Sequence, residues 1–405
     1  VTVLPFAYIE KNVEIGDDFG DYSMNTVEGS GSKAVFASGI SYCYAKETLK
    51  NVSDVKLIRI ATPHPFPEQF VKNALDGVTE VMCLEELSPY IENQILRLAG
   101  KYHMDINVRG KQTGDVPTSG ELSTNKAADI LCDFLGLEKT SQVDVSDAPA
   151  LPVRPPVLCA GCPHRAMYYG VNKALEELGI PLKDAVFASD IGCYTLGINP
   201  PYNAADYLLS MGSSVGDGCG FSIATNQKVI SFIGDSTFFH SGISPLINAV
   251  HNKNNFILTV LDNRITAMTG GQPNPGIPVD GMGDDAPEIS IRKLALACGC
   301  NYVRVINPLN LDQVVKTYKE ALERDEVCVI IAKAPCTLIK GKTRKPPVNY
   351  IDSNCNGCNK CVSELACPAI SKDGGKIAID PSMCDGCGVC IQVCKYGALE
   401  AGRGE

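Results

Sequence analysis

The chain has 405 residues, 45% of them hydrophobic and 20% charged, which is material for two or three packed domains at roughly 100–200 residues each. Its formal charge of −10 argues against a nucleic-acid surface or an anionic membrane surface, since both call for clustered Lys and Arg. No apolar run reaches the ~18–20 residues of a membrane span, and the opening VTVLPFAYIEKN has neither the basic head nor the apolar stretch of a secretory signal.

Within residues 1–137, KAVFASGIS (33–41) and VKLIRIATP (55–63) predict buried strands. YCYAKETLKN between them carries a helical pattern with Asn51 as its stop. PEQFVKNALDG (67–77) predicts a helix entered by Pro, with Phe70, Val71, Ala74 and Leu75 on one face and Gly77 as the stop. VTEVMCLEEL follows as another strand. Alternating strands and helices predict a parallel α/β sheet. From 138 to 157 Pro, Ser and Asp dominate, which reads as a linker.

A second α/β block occupies 158–342. RAMYYGVNKALEELGI is an amphipathic helix ending at Gly179. AVFAS (185–189), VISFIG (229–234) and FILTVL (256–261) are short strands, each followed by a Gly-rich or polar turn, and VCVIIAKAP (327–335) is a late buried strand. In such sheets ligands bind at the carboxyl ends of strands, where these turns lie. Residues 343–405 are too few to bury a sufficient core unaided and need a staple.

That staple is cysteine. The chain has 19 Cys, an odd number without a secretory signal, which favours metal or redox sites over disulfides. Cys355, Cys358 and Cys361 are spaced C-x2-C-x2-C and precede Cys367-Pro368; Cys384, Cys387 and Cys390 repeat the spacing and precede Cys394. A tight loop presents three thiolates to a 4Fe-4S cubane, and the fourth comes from the other half of the repeat. The predicted sets are Cys355, Cys358, Cys361 with Cys394, and Cys384, Cys387, Cys390 with Cys367. The competing reading is two zinc sites, but zinc takes paired C-x2-C ligands rather than triplets. Five residues rather than the usual three separate Cys361 from Cys367, so the first loop carries an insertion, and Lys395 stands where Pro would follow Cys394.

A further constellation opens the middle block. Alone, the Cys159–Cys162 pair could be a redox dithiol, half a zinc site or two buried thiols. Cys193 and Cys336 lie at predicted strand ends, where they could converge with that loop. Cys43, Cys83, Cys132, Cys219, Cys298, Cys300 and Cys328 read as buried small hydrophobes.

VISFIGDSTFF places Gly234, Asp235 and Ser236 at one strand end, and FILTVLDNRIT places Asp262 and Asn263 at the next, with the helix SGISPLINAVHN between. That order brings Asp235 and Asn263 to one edge of the sheet. A carboxylate, an amide oxygen and a backbone carbonyl are the ligands a hard Mg²⁺ wants, with phosphate oxygens completing the octahedron. Gly234 lets a phosphate approach the backbone. The bland alternative is two ordinary turns, because GD and DN are both common turn dipeptides.

GDS…LDN with ITAMTGGQ, and CAGCPHR followed by SDIGC, resemble the signatures of the 2-oxoacid:ferredoxin oxidoreductases; the altered first loop of the terminal repeat is similar to their indolepyruvate branch. The resemblance implies a transketolase C-terminal-like α/β domain at 1–137, a thiamine diphosphate- and Mg²⁺-binding parallel-sheet domain at 158–342, and a bacterial-type double-cluster ferredoxin-like domain at 343–405. It implies Mg²⁺ on Asp235, Asn263 and the carbonyl of Ile265, and a proximal 4Fe-4S cluster on Cys159, Cys162, Cys193 and Cys336. Gly192, Cys193, Met211, Gly212, Gly234 and Ser236 are expected against the cofactor. His164 and His240, which flank that region, read as hydrogen-bonded structural histidines. The turn 270–276 is expected to cover the cofactor, and 281–288 to be a solvated loop.

The implied reaction is oxidative decarboxylation of an aryl 2-oxoacid to an aryl-acyl-CoA and CO2 with ferredoxin reduced, in an oxygen-poor cytoplasm, alongside a smaller β subunit. The pyrimidine-binding domain that carries the activating Glu has no recognisable equivalent in 1–137 and is expected outside this chain, which opens on Val. Pyruvate, branched-chain oxoacids and phenylglyoxylate are the alternative substrates. A non-catalytic electron-transfer subunit is the alternative class, against which the intact Asp235 and Asn263 argue.

Overall fold

The computed structural model describes residues 3–139, 146–151, 155–339, 341 and 343–402, so much of the expected 138–157 linker lies outside the described residues. The chain divides into two units, 1–150 and 151–405.

The first unit is a five-stranded sheet in the order Thr26–Glu28, Val55–Arg59, Lys33–Ala37, Glu80–Leu84, Asn107–Arg109. Only the edge strand Thr26–Glu28 is antiparallel. The central strands read as unbroken apolar runs because helices cover both their faces. Phe36, Ile58 and Cys83 meet Val71, Ile91 and Ile95 on one side, while Val35, Leu57 and Met82 meet Tyr42, Ala127 and Leu131 on the other. The first predicted strand stops at Ala37, because Gly39, at φ +52°, turns the chain straight into the helix Gly39–Thr48. Ser41, Tyr42 and Ala45 form that helix's buried face. Cys43 therefore points outward and is exposed, contrary to the reading of it as a core residue. Cys298 is also only half-buried, whereas Cys83, Cys132, Cys219, Cys300 and Cys328 are buried.

The second unit holds a wholly parallel six-stranded sheet, ordered Tyr302–Ile306, Cys328–Lys333, Ile257–Asp262, Lys228–Gly234, Ala185–Ser189, Tyr207–Leu208. One face is covered by the helices Pro163–Glu177 and Leu311–Leu322, through Tyr168, Val171, Val314 and Tyr318. These helices cross closely: a Cβ on Gly170 would lie 2.5 Å from Val314 Cγ1. Ser213–Ala224, Ile243–His251 and Ile291–Ala297 cover the other face through Val215, Leu246 and Ala295.

The cysteine-rich segment belongs to this same unit. Two short antiparallel ladders, Asn349–Tyr350 with Leu399–Glu400 and Ile370–Asp373 with Lys376–Ile379, frame it. Its small core of Val348, Leu365, Ile370, Ile377, Val389, Val393 and Leu399 is continuous with Ala166 and Leu311 of the α/β part. A segment of this size gains the apolar contact it lacks by sharing a core with its neighbour. Among the described residues no helix is long and apolar enough to cross a membrane.

Candidate cofactor and cluster sites

From Ala185–Ser189 the chain departs to Tyr207–Leu208 on one side, while Lys228–Gly234 pairs on the other. The carboxyl edge between them is a topological switch point, where a crevice opens in parallel sheets. A cavity there is lined by Gly192, Cys193, Met211, Gly234, Asp235, Ser236, Asn263 and Ile265, with His164, Ile191, Tyr194 and residues 266–269. Eight of the nine residues expected against the cofactor or its metal thus share one crevice. The ninth, Gly212, stands beside it as the cap of helix Ser213–Ala224, at φ +92°.

A Cβ on Gly212 would sit 2.0 Å from Ser241 Oγ. Left-handed backbone and crowding act together, so Gly212→Ala is expected to lower stability by about 2 kcal/mol. An unchanged urea midpoint would contradict this.

The crevice is short of positive charge. Asp235 accepts hydrogen bonds from Ser236 N at 2.8 Å and Arg264 N at 2.9 Å. The same Arg264 N–H reaches Asp262 Oδ1 at 3.2 Å, so two buried carboxylates share one donor. The Arg264 guanidinium is 3.6 Å from Asp262 but closer, 3.0 Å, to Glu288. Burial first, and then the neighbouring Asp262 charge, push the Asp235 carboxyl up to about 7; burial also raises Asp262. A buried carboxylate and an amide oxygen on adjacent strand ends are donors that would suit a hard divalent cation.

Tyr194 is a wall the sequence reading missed. A Cβ on Gly192 or Gly234 would lie 2.4 or 2.8 Å from its Cε1, so both glycines are there to admit the ring. Burial holds Asp190, under the same crevice, up to about 6; it accepts a hydrogen bond from Ser214 N at 2.7 Å. The helix leaving Asp235 passes through a π-helical turn, Phe238–Gly242, before Ile243–His251. Such turns concentrate at functional sites.

Of the two histidines, His164 lines the crevice and His240 is exposed. Asn263 Nδ2 donates to His164 Nε2 at 3.4 Å. With the amide nitrogen so engaged, Oδ1 is the end left to accept from Ile265 N at 3.3 Å and to face a cation. Complete burial lowers the His164 pKa to about 4, so the ring is a neutral acceptor at pH 7. Below about pH 6.5 the unfolded chain takes up a proton that the folded chain refuses. Stability linked to His164 is therefore complete above that pH and is lost as pH falls toward 4. An imidazole NMR titration near the ordinary value would contradict this.

Residues 266–269, rather than the turn at 270–276, line the crevice. A bridge joins Thr266 to Gln272, and the buried Asn274 of that turn reaches Asp235 with its side chain. Residues 281–288 are largely exposed, with Glu288 paired to Arg264 and Lys333.

No disulfide links cysteines among the described residues. Cys355, Cys358, Cys361 and Cys394 line one small cavity, and Cys367, Cys384, Cys387 and Cys390 another. Each cavity takes one member from the opposite half of the repeat. Backbone amides point at these sulfurs: Ala398 N donates to Cys394 Sγ at 3.3 Å and Val348 N to Cys384 Sγ at 3.5 Å. Such bonds tune iron–sulfur clusters. Among the described residues no group of three or more His, Cys, Asp or Glu gathers tightly enough to hold a metal ion.

Of the middle group, Cys193 borders the cofactor crevice. Burial raises its thiol, with further contributions from Cys336 and Cys159. Cys336 N donates to Asn263 O at 2.9 Å, which sets this cysteine beside the loop after strand Ile257–Asp262. Cys162 is buried and borders the cavity of Cys367, Cys384, Cys387 and Cys390.

Residues 190–332 match the family model for the C-terminal TPP-binding domain of thiamine pyrophosphate enzymes, and residues 347–395 that for a 4Fe-4S dicluster domain. A parallel α/β domain of the thiamine type is thus joined in one chain to a double-cluster ferredoxin-like domain. Over 367 residues the chain is 48% identical to indolepyruvate oxidoreductase subunit IorA of Methanothermobacter marburgensis, covering 90% of this chain and 59% of that protein. Against the same subunit of Methanothermobacter thermautotrophicus the identity is 45% over 396 residues, covering 97% and 64%. The chain is similar to this indolepyruvate oxidoreductase subunit over nearly its whole length, and it spans 59% to 64% of the length of these two curated relatives. A solved 2-oxoglutarate:ferredoxin oxidoreductase from Magnetococcus marinus superposes with a TM-score of 0.42 at 21% identity, over 46% of this chain and 66% of that one.

Proposed function

We propose that the protein carrying this chain converts an aryl 2-oxoacid of the indolepyruvate type and CoA to an aryl-acyl-CoA and CO2, while two ferredoxins each take one electron and a proton is released. The observation that carries this reading is the hydrogen bond from Cys336 N to Asn263 O at 2.9 Å. It ties the loop with a divalent cation's donor set to a cysteine of a prospective electron relay. A non-oxidative decarboxylase has no use for that connection.

In this reading Asp235, Asn263 Oδ1 and the Ile265 carbonyl hold Mg²⁺, which anchors a diphosphate. Gly192 and Gly234 keep the strand ends open, and Tyr194 and Met211 wall the crevice. Bound thiamine diphosphate supplies the nucleophilic carbon that attacks the keto group and the ring that accepts the electron pair released with CO2. Cys159, Cys162, Cys193 and Cys336 hold a proximal 4Fe-4S cluster, and the two terminal sets hold one each. The activating Glu belongs to a pyrimidine-binding domain on another part of the protein or another chain. Exposed apolar side chains beside the crevice, Ile191 (41%), Met211 (45%) and Met268 (52%), support a partner surface there. We place the assembly in an oxygen-poor cytoplasm, as a hetero-oligomer with a smaller β subunit.

The test is an anaerobic assay of the full complex with indolepyruvate, phenylpyruvate or pyruvate, with and without CoA, following reduction of ferredoxin or a viologen. CoA-dependent reduction with the aryl acids is the expected result. Reduction with pyruvate alone moves the substrate. No reduction by any acid, with iron intact, favours an electron carrier.

A further inference from the structure

Arg165 lies in the first turn of helix Pro163–Glu177 and is only 4% exposed. Its guanidinium donates to the carbonyls of Leu158 and Cys159, the latter at 3.4 Å. It also donates to Leu365 O at 3.0 Å, to Ala366 O, and to Tyr202 Oη at 3.2 Å. The Tyr202 hydroxyl in turn donates to Leu365 O. One side chain thus binds the loop leading into Cys162 and the loop leading into Cys367.

Leu365 and Ala366 lie in the five-residue stretch between Cys361 and Cys367, which exceeds the usual three. The insertion in the first cysteine loop is the part that reaches Arg165.

Every acceptor named for this guanidinium among the described residues is uncharged. A buried charge is costly unless an opposite charge compensates it. Arg165 lines the cavity of Cys367, Cys384, Cys387 and Cys390, and a 4Fe-4S group on four thiolates is an anion that gains one more negative charge on reduction. Asp385 borders the same cavity and already has Arg344 at 4.0 Å. Arg165 does not line the cavity of Cys355, Cys358, Cys361 and Cys394.

We propose that Arg165 is a positioning residue with two linked effects: it seats the inserted cysteine loop on the α/β domain, and its charge raises the reduction potential of the group on Cys367, Cys384, Cys387 and Cys390. This rests on the reading that those cysteines hold a 4Fe-4S cluster. Net charge near a cluster is one of the determinants of its potential. An electron arriving there is stabilised by the nearby cation, which makes this group the better acceptor of the terminal pair.

The test uses the anaerobically isolated holoprotein, wild type beside Arg165→Met and Arg165→Lys, with potentials from EPR-monitored redox titration and iron counted per chain. In R165M the equilibrium constant for one-electron reduction of this group is expected to fall about tenfold, about 59 mV. The other terminal group is expected not to move, and R165K is expected to recover most of the loss. Amides of 363–367 are expected to exchange faster in both variants, because Lys keeps the charge and loses the fork. Loss of iron from this group alone in R165M, restored in R165K, also supports the proposal. An R165M protein with full iron and an unchanged midpoint overturns it, since a merely structural role would speed exchange without moving the potential. Wild-type protein without two terminal cubane signals overturns the cluster reading beneath it, and is distinguished by failing before any substitution is made.

Discussion

Replacing Asp235 by Ala is expected to weaken thiamine diphosphate binding in the presence of Mg²⁺ at least about a hundredfold by calorimetry. The substitution removes a carboxylate cation ligand, leaves the N–H of Ser236 without its acceptor and leaves that of Arg264 only the longer bond to Asp262. Each bond to a charged group is worth about 1.5–3 kcal/mol, and about 2.7 kcal/mol already corresponds to a hundredfold. Stoichiometric binding by the variant would remove Asp235 from the proposed site.

The pH dependence checks the same residue independently. In the metal-free fold Asp235 is pushed up to about 7, by burial first and Asp262 second, so a cation must displace a proton below that pH. Affinity for Mg²⁺ with the diphosphate is expected to fall up to about tenfold per pH unit there. Stability moves the opposite way. Between about pH 4 and 7 the folded chain holds a proton that the unfolded chain has released, so this group's contribution declines as pH rises. His164 contributes a rising slope over part of the same range, so the wild-type profile alone does not isolate Asp235. The difference between Asp235→Asn and wild type does. It is expected to move in favour of the variant from pH 5 to pH 8, by at most about 1.4 kcal/mol per pH unit. A flat difference in denaturant midpoints would mean Asp235 ionises as an ordinary surface carboxylate.

What was legible in the sequence follows from range. The strands Ala185–Ser189, Lys228–Gly234, Ile257–Asp262 and Cys328–Lys333 fall within a residue or two of their predicted runs. Fully buried parallel strands must be continuous apolar stretches, and the polar turns after them mark the ligand edge. The helix Val3–Gly20 and the strand Thr26–Glu28 are not legible in the sequence, because VLPFAYIEKNVEIGDDFG carries no sustained apolar stripe and the strand is only three residues long. The π-helical turn has no period of its own to read. Tyr194 carries no local signal in the sequence, although Gly192 and Gly234, the glycines that admit its ring, both stand in the motifs. The contact of His164 with Asn263 spans 99 residues, and that of Arg165 with Leu365 spans 200. Nothing local in a sequence announces such pairs. The extra residues after Cys361 were visible as an irregularity, but their purpose needed Arg165 in view.

Cys394→Ala is expected to empty the group that Cys355, Cys358 and Cys361 begin, rather than the group nearest it in sequence. The structure lines one cavity with Cys355, Cys358, Cys361 and Cys394 and the other with Cys367, Cys384, Cys387 and Cys390, whereas ligation within each sequential half would pair Cys361 with Cys367 and Cys390 with Cys394. Double substitutions separate the two arrangements without assigning any spectrum, since changes within one unit are not additive and changes in separate units are. Cys355→Ala with Cys394→Ala is expected to lose about four irons, no more than either alone, while Cys355→Ala with Cys367→Ala loses about eight. The reverse pattern would establish in-sequence ligation. Iron loss also has a folding consequence. The core of this segment is a handful of side chains leaning on Ala166 and Leu311, and without its clusters the ordering entropy of residues 343–402 has little apolar burial to offset it. The protein that loses both groups is therefore expected to be cut rapidly by protease within 343–402, with Leu311–Leu322 and the sheet beneath it staying protected. Equal resistance before and after iron removal would show that the shared apolar contact suffices to hold the segment.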